Sequence, residues 1–238
     1  LLLLPLCLIA CDHKEKPIVL PHSKGLPSEV LLVTDDAVGQ SDVMDSLNAL
    51  TQQCLPEIMQ PETMFRVLRV SQRNYTQRYI TMHTKLFVNI DKSLSAPMMG
   101  ISRDVEATPQ TEVTVSAPSL NELRLFLSRH QQQVTDALLD GQLLVRMTDL
   151  RKHHNAHVAN EVRRHMGYSI CVPKNVCAVK KGKHFLWAGS NLQERDLNIV
   201  LYEFPWDGSP MDNAEQLVSK RDSVMKCNIP GEKEGQWM

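Results

Sequence analysis

Residues 111–138 constrain the fold most. Thr111-Glu112-Val113-Thr114-Val115-Ser116 alternates polar and apolar side chains, which places Val113 and Val115 on one face of a half-buried strand. Ser119 and Glu122 then stand at the spacing of a reciprocal helix cap. Behind them Leu120, Leu123, Leu127, Val134 and Leu138 keep the period of an amphipathic helix. A one-faced strand followed by a one-faced helix must bury both faces in a common core. Asp140-Gly141 is expected to break this helix, a second helical stretch to run to His165, and Gly167 to end it.

Elsewhere the pattern is less regular. Residues 30–34 are an apolar run stopped by Asp35 and Asp36 and read as a buried strand. Ser41 precedes a helix carrying Val43, Leu47, Leu50 and Cys54, which Pro56 and Pro61 end. Residues 65–70 read as a strand, 74–84 as a short helix, 86–90 as a strand, and 91–109 as a long connection. Past Gly167, strands are expected at 168–172, 176–179 and 185–188, with a turn at 180–183. Residues 197–204 are apolar on both faces except Asn198 and Glu203, the mark of a central strand. Asp212 and Glu215 open a last helix with Leu217, Val218, Val224 and Met225 on one side. Helices and strands do not alternate regularly, so the expected class is α+β, a mainly antiparallel sheet with amphipathic helices packed on it. At 238 residues, 42% of them hydrophobic, the chain can hold a full core in one domain or two. We divide it into a first α+β unit at 28–167 and a second at 168–238.

The N-terminal stretch is different in kind. Residues 1–10, LLLLPLCLIA, form an uncharged apolar run closed by Cys11. A spanning helix needs about 20 apolar residues, so the run reads as the core of a signal peptide whose start lies upstream. Leu8-Ile9-Ala10-Cys11 resembles a bacterial lipobox. In that resemblance, cleavage before Cys11 leaves diacylglycerol on its thiol and an acyl chain on its amine. At about 0.8 kcal/mol per CH₂, such chains hold a body at a membrane without any spanning helix. Residues 11–27 contain three prolines and mixed charge and read as a tether. The expected partner is therefore a membrane, reached through lipid on Cys11, in the cell envelope and at the outer membrane. A net charge of −1 gives no pull toward nucleic acid.

Few residues offer chemistry. Asp35 and Asp36, with Asp42 behind them, follow a strand at a position where α/β proteins often place a site. Carboxylates there suit a divalent metal or acid–base work, and turn formation and helix entry account for them equally. His153, His157, Glu161 and His165 recur every four residues, a spacing that can chelate a metal. Arg151, Lys152, Arg163 and Arg164 surround that stripe, and it drifts about 40° per step, so no metal is expected on it. Phe185/Trp187 and Tyr202/Phe204/Trp206 alternate along their strands and are expected mostly to support the core, with Trp206 at the rim. Cys54, Cys171, Cys177 and Cys227 are left open between disulfides and free thiols. No G-x-S-x-G, S-x-x-K, H-E-x-x-H, P-loop or G-x-G-x-x-G occurs, so no catalytic residue and no cofactor is assigned.

The lipobox and tether combine with GLPSEVLLVTDD (25–36), ATPQTEVTVSAPSLNEL (107–123), KHFLWAGSN (183–191), LNIVLYEFPWDG (197–208) and AEQLVSKRDSVMKCNIPGEKEGQWM (214–238). Together they are similar to an uncharacterised, domain-of-unknown-function lipoprotein family of the Bacteroidota. The resemblance implies an envelope lipoprotein that continues past Met238, and it carries over no activity. The expected function is a membrane-anchored envelope lipoprotein with a non-enzymatic binding or structural body, its partner an envelope protein or the cell wall. The alternative is a lipid-tethered hydrolase built on Asp35 and Asp36.

Overall fold

A computed structural model describes residues 19–55, 61–190, 197–206, 208, 213–231, 233, 236 and 237. The chain divides into two compact units, Leu1–Val145 and Arg146–Met238. This boundary falls earlier than the expected one at 167. The helix before Gly167 belongs to the second unit, because its Val158, Val162 and Met166 are buried with Val172, Val176 and Leu186.

The first unit contains β1 (Glu29–Thr34), α1 (Asp36–Gly39), α2 (Val43–Thr51), β2 (Arg66–Ser71) and α3 (Gln77–Ile80). There follow β3 (Thr84–Ile90), β4 (Met98–Arg103), β5 (Thr111–Ala117) and α4 (Leu120–His153) as far as Val145. The strands lie in the order β2-β1-β3-β5-β4. The pairs β1–β2, β1–β3 and β3–β5 are parallel, and β4 alone runs antiparallel, against β5. The expectation of a mainly antiparallel sheet is corrected for this unit. The connections β1–β2, β2–β3 and β3–β5 are long enough to return the chain to the same end of the sheet, which parallel pairing requires. The last of them contains β4, which the expected long loop at 91–109 had absorbed. An edge strand reading Met-Met-Gly-Ile-Ser-Arg and half exposed shows no alternation.

The two faces of this sheet differ. On one, Val30, Leu32, Leu86, Val88, Val113 and Val115 pack with Val43, Leu47 and Leu50 of α2 and with Leu123, Leu127, Val134 and Leu138 of α4. On the other, Leu31, Val33, Val70 and Met82 form a smaller cluster with Tyr75, Tyr79 and Phe87. β1 is thus apolar on both sides, as a central strand must be. Asp140-Gly141 does not break α4. Gly141 is buried, and a Cβ there would stand 2.9 Å from Thr111 Cβ, so the glycine lets the helix pass close to β5. The backbone instead leaves helical values at His130 (φ −116°, ψ 17°).

The second unit holds the end of α4, α5 (Ala156–Met166), β6 (Ala178–Gly182), β7 (Phe185–Gly189), β8 (Asn198–Tyr202) and α6 (Ala214–Asn228). Its three strands form an antiparallel sheet in the order β6-β7-β8. β7 is the central strand and β8 an edge strand, which corrects the placement expected for 197–204. Every residue of β8 is half-buried, whereas Phe185, Leu186, Ala188 and Gly189 of β7 are buried. Residues 168–172 form no strand. Gly167 ends α5 in the left-handed conformation (φ 82°), as expected. Asn213 caps α6 by accepting from the Glu215 N–H at 2.8 Å, while Asp212 lies outside the described residues.

Candidate functional site

The parallel strands β2, β1, β3 and β5 present their C-terminal ends on one rim. The chain leaves β1 toward β2 and β3 toward β5, so the rim has a topological switch point between β1 and β3. Ligands bind at such points in open α/β sheets. Asp35 sits there. Its Oδ1 accepts from Val38 N–H at 2.7 Å and caps α1, and its Oδ2 accepts from Ile90 N–H at 2.6 Å. One carboxylate therefore ties the end of β3 to the start of α1. Asp36 points elsewhere and pairs with Arg73. Asp42 is exposed, 3.9 Å from Arg124. The three aspartates are neighbours in sequence and do not converge. Asp91, beyond β3, accepts from the Ser93 hydroxyl at 2.6 Å and the Ser93 N–H at 2.9 Å, which holds its carboxyl below the usual range.

Beside this rim lies a groove of about 410 Å³ lined by Thr34, Gly39, Met44, Asn48, Arg69 and Ser71. Arg69 Nη2 donates to Asn48 Oδ1 at 2.5 Å, which orients the guanidinium over the groove wall. Two hydroxyls, an amide and a guanidinium can hold a polar ligand by hydrogen bonds.

The opposite face of the sheet carries a charge cluster absent from the sequence reading. Lys85 is fully buried, and its Nζ donates to Glu106 Oε2 (2.6 Å), Tyr75 Oη (2.7 Å) and Glu112 Oε1 (2.9 Å). Tyr75 Oη in turn donates to Glu106 Oε2 at 2.9 Å. Burial pushes the Lys85 ammonium down, but hydrogen bonds to Glu106, Tyr75 and Glu112 more than offset it, so the net direction is up. Burial also raises the Tyr75 phenol. The signal for this cluster is a cross-strand one: Lys85 and Glu112 are register partners in β3 and β5. It becomes legible only once that pairing is known.

In the second unit the histidine stripe is divided. Asn155 caps α5 through the His157 and Val158 N–H groups, so the helix of His153 ends before that of His157 begins. His153 meets Asp149 at 2.7 Å, and His165 Nε2 lies against the Gly182 and Phe185 carbonyls at 2.8 and 3.1 Å. Glu161 is ion-paired with Lys181 and Arg164, and the Lys181 hydrogen bond holds its carboxyl below the usual range. Among the described residues no group of three or more His, Cys, Asp or Glu is disposed to hold a metal. Of the five aromatic residues expected to alternate along these strands, Phe185 alone is fully in the core. Trp187 donates to Asn198 Oδ1 at 2.9 Å, Tyr202 and Phe204 stack half-buried at 6.0 Å, and Trp206 is 72% exposed. Cys54, Cys171, Cys177 and Cys227 are exposed free thiols.

Cys11 lies outside the described residues. No helix among the described residues is long and apolar enough to cross a membrane.

Two family models match the chain, both described as domains of unknown function. DUF8532 matches residues 23–148, more than half of the chain, and DUF4837 matches residues 155–238. The gap between them holds the end of α4, and the second match begins at the Asn155 cap of α5. No curated protein and no solved structure matches. By the extent of the first match, the chain belongs to the DUF8532 family, a domain of unknown function.

Proposed function

We propose that this chain is a lipid-anchored protein of the bacterial cell envelope whose body is a non-enzymatic binding module. The anchor rests on Leu8-Ile9-Ala10-Cys11 after an uncharged apolar run, with Cys11 as the acylated residue and 11–27 as the tether. The observation that carries the binding reading is the use of Asp35. Both of its oxygens accept from backbone N–H groups, so the carboxylate serves the fold by tying the end of β3 to the start of α1. What remains at the rim is a groove of hydrogen-bonding groups rather than a reacting pair. Membership of a lipoprotein family of the Bacteroidota is part of the same proposal.

The second reading, a tethered hydrolase, draws on Asp36 and the hydroxyls of Thr34 and Ser71 near the same rim. Replacement of the chromosomal copy separates the two. Asp36→Asn should restore the wild-type phenotype with an unchanged melting temperature, and Cys11→Ala should move the protein from the membrane pellet to the soluble fraction. A folded but non-rescuing Asp36→Asn chain would favour the hydrolase. Retention of Cys11→Ala in the pellet would remove the anchor.

A further inference from the structure

We infer that the outer edge of β4, with the groove between β4 and α4, docks an extended peptide segment of a partner protein that presents apolar and basic side chains together on one face. The inference rests on the binding-module reading and names its partner chemistry.

The two edges of the five-stranded sheet are built differently. Natural edge strands are shielded by charge against pairing with another chain. β2 follows that rule, with exposed Arg66 and Arg69. β4 follows it only at its last residue: Met98-Met99-Gly100-Ile101-Ser102 carries no charge before the exposed Arg103, and Met98 and Ile101 are 52% and 51% exposed. Its outer side has no strand partner among the described residues, so alternate backbone N–H and C=O groups stand open to an added strand.

Beside that edge lies a groove of about 490 Å³. Met99, Ile101, Phe126 and Ala137 give it an apolar lining, and Asp136 and Asp140 stand on it. The α4 backbone departs from helical values at His130, whose ring stacks on Phe126 at 4.4 Å, so this wall is shaped by the bend. Among the described residues neither aspartate has a Lys, Arg or His nitrogen within 4.0 Å. Charge complementarity therefore calls for a basic side chain on the incoming strand. Side chains on a strand alternate in direction, so every second residue of that strand faces the groove.

The size of the edge argues for a peptide over a second copy. Six residues span about 20 Å. At a sheet thickness of about 10 Å that edge offers roughly 200 Å², enough for strand addition and well short of the roughly 800 Å² that each partner buries in stably paired folded proteins.

The test uses the full mature chain in detergent and a fluorescein-labelled hexapeptide with leucine, lysine and leucine at every second position and serine between, followed by anisotropy. Saturable binding is expected. It should weaken about tenfold in the Asp136→Asn, Asp140→Asn double variant. It should be lost in Ile101→Lys, and lost again when alternate peptide amides are N-methylated on the pairing edge. These side chains are exposed or half-exposed, so the melting temperatures of both variants should match wild type. Equal binding of the same peptide with glutamate in place of lysine would overturn the inference, as would binding indifferent to Ile101→Lys or no saturable binding at all. Sedimentation showing that Ile101→Lys dissolves a wild-type dimer would assign the edge to a second copy and overturn it too. Any of these with Asp36→Asn still rescuing removes the groove and leaves the binding-module reading in place.

Discussion

Replacing Lys85 with Met tests whether the buried charge cluster is part of the first unit's stability. The ammonium makes three hydrogen bonds and is fully buried, while the side chains of Glu112 and Glu106 are 15% and 35% exposed. Removing one partner of a buried pair costs about 3–5 kcal/mol, because the other charge is left uncompensated. Glu106 can turn to water, so its share is screened, and Glu112 carries most of the penalty. The expected loss is thus at the low end, about 3 kcal/mol, or roughly 10 °C in the melting temperature of a unit this size. All three tryptophans, Trp187, Trp206 and Trp237, lie in the second unit. Trp fluorescence therefore follows that unit alone, and the transition seen only by far-ultraviolet circular dichroism belongs to the first. Adding Glu112→Leu should recover most of the loss, since an apolar replacement of both partners removes the stranded charge. The Lys85 pKa is raised in the folded state, so its contribution is complete below the unfolded lysine value of about 10.4 and is lost as pH rises through the folded value. The gap between wild type and Lys85→Met should stay level from about pH 6 to 9 and close only above about pH 10.4. A Lys85→Met chain as stable as wild type would refute the reasoning.

Three further outcomes follow from single contacts. Gly141→Ala should destabilise the first unit by about 1–3 kcal/mol in urea titrations, because the new methyl meets Thr111 Cβ at 2.9 Å across a backbone approach. Asn155→Ala should cost the second unit about 1–2 kcal/mol by Trp fluorescence, since the side chain both caps α5 and donates to the Val176 carbonyl at 2.9 Å. Glu161 has a lowered pKa, so its ion pairs stabilise fully above the ordinary glutamate value of about 4.3 and fail as pH falls through the folded value. Glu161→Gln should flatten the acid limb of the second unit's stability profile.

Local signals in the sequence carried much of the fold. The Thr111–Ser116 alternation is β5, the Ser119 hydroxyl caps α4 by accepting from the Glu122 N–H at 3.3 Å and donates to Glu122 Oε2 at 3.0 Å, and Leu123, Leu127, Val134 and Leu138 face the core. The failures are of another kind. Strand direction depends on how connections return, which no strand's own composition records, and so the sheet's parallel pairing was hidden. Met-Met-Gly-Ile has no polar alternation, so β4 read as loop. Gly141 reads as a breaker by composition and is a contact residue by packing, a distinction visible only once Thr111 faces it. At the rim, Asp35 could be located from its place after an apolar run. Its two backbone partners could not, because Ile90 lies 55 residues away. Lys85 and Glu112 were invisible for the same reason.

Intact-mass spectrometry of the protein extracted from its native membranes tests the central claim most directly. The account predicts a chain that begins at Cys11 and carries diacylglycerol on the thiol with an acyl chain on the new amine. A chain in which Cys11 is unmodified, or that begins at another residue, would contradict it.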